Sequence, residues 1–217
     1  MKYSITPCIE IENSKGNIIY VLTQEQTNGY YELGYKYRER RYKITTGRHD
    51  YEVVCPEIWK KGDTEHTVII PAFLVPHRGY PLEIYVYAIN IYTGDPQSNE
   101  PKKSQREAAE ATKEHFGLKK FSHSTICRAM KTLTSALEGY AAACTEPAAG
   151  AQEKEDDMSG NKSCGNRFPA ARDTQKRREL VGSFLQGRLD IKSRHGLMET
   201  CGRLAIWWYR RFKKLLI

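Results

Sequence analysis

The sequence predicts an α+β protein, with a small N-terminal antiparallel β-ribbon, an all-helical helix-turn-helix and a C-terminal helix. Three observations carry this expectation. Short runs of β-branched and aromatic residues, broken by turn residues, fill the first third of the chain. From Ser104 to Leu133 apolar residues recur at helical spacing behind a helix-capping signature. The last residues interleave aromatic and basic side chains. The expected organisation is a β domain over residues 1–78, a helix-turn-helix over 79–140, a linker over 141–175 and a basic helical tail over 176–217.

The β elements come first. The run from Asn17 to Leu22 is β-branched and aromatic, and Asn28-Gly29 is a hairpin-turn signal. From Tyr30 to Ile44 tyrosines recur among basic residues. Strand periodicity puts Tyr35 and Tyr37 on one face and Lys36 and Arg38 on the other. Two more short strands are expected at Tyr51–Val54 and Thr67–Ile70.

From Pro81 the period changes. Leu82, Val86 and Ile89 fall at helical spacing, with Pro81 at a helix start and Gly94 at a stop. The β-branched content leaves a strand as the competing reading. Gly94 to Lys103 is a polar, proline-containing connector.

The helix pair follows. Ser104-Gln105-Arg106-Glu107 has the form of a capping box, in which serine and glutamate satisfy each other's backbone N–H groups. Ala108, Ala109, Ala111 and Thr112 are small enough for a second helix to approach closely. Gly117 ends the first helix, and Ser122 caps the second. In that second helix Ile126, Ala129, Met130 and Leu133 line one side.

The outer side carries the chemistry. His123, Ser124, Thr125, Arg128 and Lys131 are polar or basic, and Lys119 and Lys120 precede them. Eight basic and three acidic residues between Lys102 and Leu133 give that stretch a net charge of +5. In a helix-turn-helix the start of the second helix enters the DNA major groove, where short polar side chains and arginine reach base edges. Cations around it neutralise phosphates. The expected DNA-binding residues are Arg106, Lys119, Lys120, Ser122, His123, Ser124, Thr125, Arg128 and Lys131. A plain helical hairpin with a solvated basic face is the alternative.

Bulk composition agrees with a polyanionic partner. The 217 residues include 34 Lys plus Arg against 26 Asp plus Glu, a net +8. The six cysteines, Cys8, Cys55, Cys127, Cys144, Cys164 and Cys201, form no Cys-x-x-Cys pair, so neither a disulfide scaffold nor a zinc site is expected. Scattered thiols, no visible secretory signal and no long apolar run lead to a cytoplasmic expectation.

Residues 145–175 are rich in Ala, Gly, Glu, Asp and Ser, and Glu153, Glu155, Asp156 and Asp157 form an acidic run. At the C-terminus Ile206-Trp207-Trp208-Tyr209 precedes Arg210, Arg211, Lys213 and Lys214. Such a segment suits docking on the core or on a second subunit, as in a homodimer. It equally suits contact with DNA, or contact of residues 204–217 with a membrane surface.

The string SQREAAEATKEHFGLKKFSHSTICRAMKTL resembles the transposase-type helix-turn-helix, usually Ser-x-Arg-Glu-Ala-Ala, a short turn, then Ser-x-Ser-Thr-hydrophobic-x-Arg. Upstream, IIPAFLVPHRGYPLEIYVYAI, with Pro71 to Pro76 and Tyr80, resembles the segment that joins a zinc ribbon to that motif in a bacterial family of mobile-element-associated proteins. The likeness covers roughly residues 17–135. It implies cysteine pairs that this chain lacks, since only Cys55 lies in the expected zone. A metal-free ribbon with tyrosines and Trp59 packed in place of a metal is therefore expected. His49 and His66 are the other conceivable donors.

No catalytic constellation is visible. The chain beyond residue 135 is too short for a transposase catalytic domain, and its acidic run sits in low-complexity sequence. No phosphate-binding loop or nucleophile elbow occurs. The expectation is a double-stranded-DNA-binding protein without chemistry of its own. A peripheral membrane or structural protein, and an RNA-binding module that stacks bases on strand 35–43, are the competing classes.

Overall fold

The computed structural model describes residues 1–13, 15–94, 102–145, 171–188, 197–212 and 215–217. The strands are β1 (Lys2–Ser4), β2 (Ile9–Glu12), β3 (Ile18–Val21), β4 (Tyr35–Thr45), β5 (Asp50–Lys60) and β6 (Thr67–Ile69). The helices are α1 (Gln24–Glu32), α2 (Leu82–Thr93), α3 (Gln105–Phe116), α4 (His123–Thr145), α5 (Ala171–Arg188) and α6 (Leu197–Phe212).

The sheet is organised around β5. Along one edge it pairs antiparallel with all of β4, from Tyr35 opposite Lys60 to Thr45 opposite Asp50. Its other edge is shared. β3 runs parallel to it at Val53 and Val54, and β6 antiparallel at Glu57 and Ile58. Pro56 lies between these two stretches. Proline has no N–H to donate, so it suits the place where one partner ends and the next begins. β2 extends the sheet beyond β3, and β1 lies parallel beside β6. The result is a curled six-stranded mixed sheet.

The expected small antiparallel ribbon is thus wrong, as is the all-helical remainder with one C-terminal helix. The physical reason lies in the pairings. Lys2 meets Thr67 and Ile18 meets Val53, both in parallel register. Local side-chain patterns mark strands, but a parallel partner is reached only through a long crossover. Asn28-Gly29 is not a hairpin turn either, because it lies inside α1. Thr23 and Gln26 form a capping box there, which starts a helix just ahead of the turn residues.

Two apolar clusters hold the molecule together. One lies on a face of the sheet, where Ile44, Val53, Cys55, Val68 and Ile70 pack with Phe73 and Leu74. The larger one is helical and centres on α2. Leu82, Ile84, Tyr85, Val86, Ala88, Ile89 and Tyr92 are all buried, so α2 is apolar nearly all round, as a central helix must be. Pro81 precedes it and Gly94, at φ 68°, ends it, as the sequence predicts. α3, α4, α5 and α6 surround it.

The C-terminal segment docks. Cys201, Leu204, Ala205 and Trp208 of α6 and the following Leu216 are buried in the helical cluster, and Leu215 packs on the sheet cluster. The phenol of Tyr209 donates to the carbonyl of Tyr3 at 3.3 Å, tying the last helix to the first strand. Of the expected linker, residues 146–170 lie outside the described residues, as does its acidic run. α4 extends to Thr145 and α5 starts at Ala171.

Candidate nucleic-acid interface

α3 begins with the predicted cap. Ser104 Oγ accepts from Glu107 N at 3.2 Å, and Glu107 Oε2 accepts from Ser104 N at 2.6 Å. The backbone N–H of Ser104 holds the Glu107 carboxyl below the usual carboxylate range. That anion is therefore tied to the cap. Ala108, Ala109 and Thr112 face inward, and Thr112 turns its hydroxyl back to the Ala108 carbonyl at 2.7 Å. Small side chains let α3 lie close against α2 and α4.

The connection is short and fixed. Gly117 ends α3 in the left-handed region at φ 68°, and Leu118 N donates to Lys113 O at 2.9 Å. Leu118 and Phe121 are buried, which leaves Lys119 and Lys120 exposed between them. Tyr80 clamps this turn, since its ring packs 5.3 Å from that of Phe121 and its phenol donates to the carbonyl of Lys120. The hairpin turn between β4 and β5 also presses on it at Gly47.

α4 then presents two different faces. Ile126, Ala129, Met130, Leu133 and Leu137 are buried against the core. His123, Arg128, Lys131, Thr132 and Ser135 are exposed, and Ser124 and Thr125 are half-buried. At the first turn Ser122 Oγ lies 2.7 Å from Ser124 Oγ and 3.2 Å from Thr125 Oγ1, a small hydroxyl cluster at the start of the helix.

The predicted site residues divide into two groups. Lys119, Lys120, Ser122, His123, Ser124 and Thr125 are contiguous at the turn, with Arg128 and Lys131 following along the outer face of α4. Arg106 is exposed near the opposite end of α3, a helix roughly 18 Å long at 1.5 Å per residue. Of the acidic neighbours, Glu110 is paired with Lys113 at 2.6 Å. Arg106, Lys119, Lys120 and Arg128 form no ion pair among the described residues.

Comparison of the chain with family models, curated proteins and solved structures found no match.

The tyrosine-rich strand differs from α4. Its three arginines pair with acidic neighbours on β5 or on the strand itself. Arg38 bonds Glu57 through Nε and Nη2 at 2.9 and 2.8 Å, and Arg41 bonds Glu52 at 2.9 Å and Glu39 at 3.1 Å. Glu57 is completely buried and also accepts from His66, whose Nδ1 lies 2.7 Å away.

The conceivable metal donors are dispersed. Cys55 is in the sheet core, where burial pushes its thiol up to about 12 and away from the thiolate a metal requires. His66 is bonded to Glu57 and stacked 4.8 Å from Trp59, and His49 lies against Tyr51 at the hairpin turn. Among the described residues no group of three His, Cys, Asp or Glu is poised for a metal ion. No described helix is long and apolar enough to cross a membrane.

One residue beside the helix pair escaped the sequence reading. Arg178 of α5 donates from Nε to the carbonyl of Tyr92 at 2.8 Å and from Nη2 to the carbonyls of Tyr92 and Lys103. Its guanidinium also lies 4.3 Å from the Tyr92 ring centroid. It joins the end of α2 to the segment that enters α3. No local pattern marks such a residue, because its partners are far away in sequence.

Proposed function

We propose that the protein binds double-stranded DNA through α3 and α4, with the first turns of α4 in the major groove. The observation that carries this reading is the two-faced α4. A largely apolar inner face fixes the helix on the core, and the opposite face begins with hydroxyls and continues with Arg128 and Lys131. In this reading Ser124 and Thr125 reach base edges or phosphates, and Arg128 pairs bidentately with guanine or clamps a phosphate. Lys119, Lys120 and Arg106 neutralise the backbone. The resemblance to transposase-type motifs supplies a mobile-element context, with binding and no catalysis.

Two observations favour DNA over the competing classes. The three arginines of strand β4, Arg38, Arg40 and Arg41, which would serve RNA, are engaged by Glu39, Glu52 and Glu57. The apolar residues that would enter a membrane, Leu204 and Trp208, are buried in the core.

The test is a salt-dependent titration with a pool of duplex sequences, comparing the full chain with Arg128→Ala and Ser124→Ala. The reading requires weaker binding or altered sequence preference in both variants. If neither variant changes either quantity, α4 is not the recognition helix.

A further inference from the structure

α5, whose Lys176 lies 45 residues beyond Lys131 in the sequence, packs beside the segment that enters α3. We propose that Lys176 and Arg177, at the start of α5, join Lys102, Lys103 and Arg106 in a phosphate-binding patch that holds the DNA backbone on one side of the site read by α4. This inference rests on the proposed duplex reading and extends it to a different element.

The placement follows from Arg178. Its Nη2 donates to the carbonyl of Lys103 at 2.5 Å, so the first turns of α5 lie against the residues that lead into α3. The approach is close elsewhere too, since a Cβ added at Gly182 would lie 3.3 Å from Cβ of Thr93 at the end of α2. Val181 and Leu185 anchor the same helix in the core. α5 is thus held by its inner side. Lys176 is exposed and Arg177 half-exposed.

The charges on this surface are available. Lys102, Lys103, Arg106, Lys176 and Arg177 form no ion pair among the described residues. Glu107 is engaged in the cap of α3, and Glu179 accepts from Gln175 at 2.7 Å. In a helix-turn-helix the first helix crosses the DNA backbone. α3 carries cations at both ends, Arg106 at one and Lys119 with Lys120 at the other. The ends are roughly 18 Å apart by helical rise, more than the major-groove width of about 12 Å. Arg178 brings α5 against Lys103, three residues before Arg106, so that in this proposal a phosphate ridge at that end meets cations from two elements.

The experiment uses the full chain with duplex DNA across a series of salt concentrations, comparing wild type with Lys176→Ala/Arg177→Ala, Lys176→Glu/Arg177→Glu and Arg128→Ala. Circular dichroism confirms the fold of each. Each lost phosphate contact reduces the slope of log affinity against log salt by about 0.9, so the double alanine variant is expected to lower it by up to about 1.8 with sequence preference unchanged. The double glutamate variant must weaken binding further. An unchanged slope in the folded double alanine variant overturns the patch. A changed sequence preference overturns it as a backbone contact. If Arg128→Ala has no effect while the α5 variants flatten the slope, the patch stands and the assignment of α4 fails. If the wild type does not bind duplex DNA, both fall.

Discussion

Gly47, in the turn between β4 and β5, faces the carbonyl of Phe116 at the end of α3 so closely that a Cβ there would lie 2.1 Å from the oxygen and 2.9 Å from Cδ2 of Leu118. Its φ is +90°, a region that side chains with a Cβ avoid. Glycine is thus required twice, for backbone conformation and for space. This contact joins the sheet to the turn of the helix pair. Gly47→Ala is expected to destabilise the protein by about 2–4 kcal/mol, combining left-handed strain with overpacking. Chemical denaturation measures it. A loss below about 0.5 kcal/mol, the usual range for a neutral surface change, contradicts the contact.

Glu57 makes stability depend on pH. The bonded Arg38 guanidinium holds its carboxyl below the usual carboxylate range, and His66 and Arg40 act in the same direction against the opposing effect of burial. The folded state therefore binds this proton less readily than the unfolded chain. The corresponding stability is present above the unfolded carboxylate value and is lost as pH falls through the folded one. Thermal unfolding across that window should show a falling midpoint, and Glu57→Gln should flatten the dependence. An equally steep curve in the variant assigns the effect to other carboxylates.

The cap of α3 predicts a local effect. Ser104→Ala removes the acceptor for Glu107 N and should cost about 1 kcal/mol. Hydrogen exchange should quicken in the first turn of α3 and leave α2 unchanged. Uniform quickening across the helices would mean that the cap has no local role.

The C-terminal helix belongs to the core. Trp208 is 2 % exposed and meets Phe184 edge-on at 6.0 Å. Trp208→Ala should destabilise by about 3–5 kcal/mol. Deleting residues 204–217 should abolish cooperative unfolding. A truncated chain that melts as sharply as the full one would show that α6 is dispensable.

Arg128 lies on the exposed face of α4, opposite Met130 and Ala129. If it reads a base, Arg128→Ala should lose about 1–3 kcal/mol of discrimination at one position of the site. Selection from a random duplex pool reads this directly. A uniform loss across all sequences would assign Arg128 to a phosphate.

Much of the helix pair was legible in sequence, because its signals are local. A cap spans three residues, and an inner face repeats every three or four. Ser104, Gly117 and the apolar stripe from Ile126 to Leu133 fall where the spacing puts them. The candidate interface was legible for the same reason, since its residues are nearly contiguous from Lys119 to Lys131. The additions from α5 were not, because Arg178 acts on carbonyls of Tyr92 and Lys103.

By itself the sequence determined the limits of α2, the cap of α3, strands near β3, β4, β5 and β6, the two-faced character of α4 and the net positive charge of the helix pair, but not β1, β2 or α1. These follow from side-chain periodicity, capping chemistry and composition, each readable within a few residues. Only the tertiary structure decided that β5 is shared by β3, β4 and β6, that α1 replaces the Asn28-Gly29 turn, and that α6 buries its tryptophan in the core. Those outcomes depend on which apolar surfaces meet and which backbone edges pair. The segments concerned are far apart in sequence, and their pairing is settled by burying both faces at once, which no local pattern encodes.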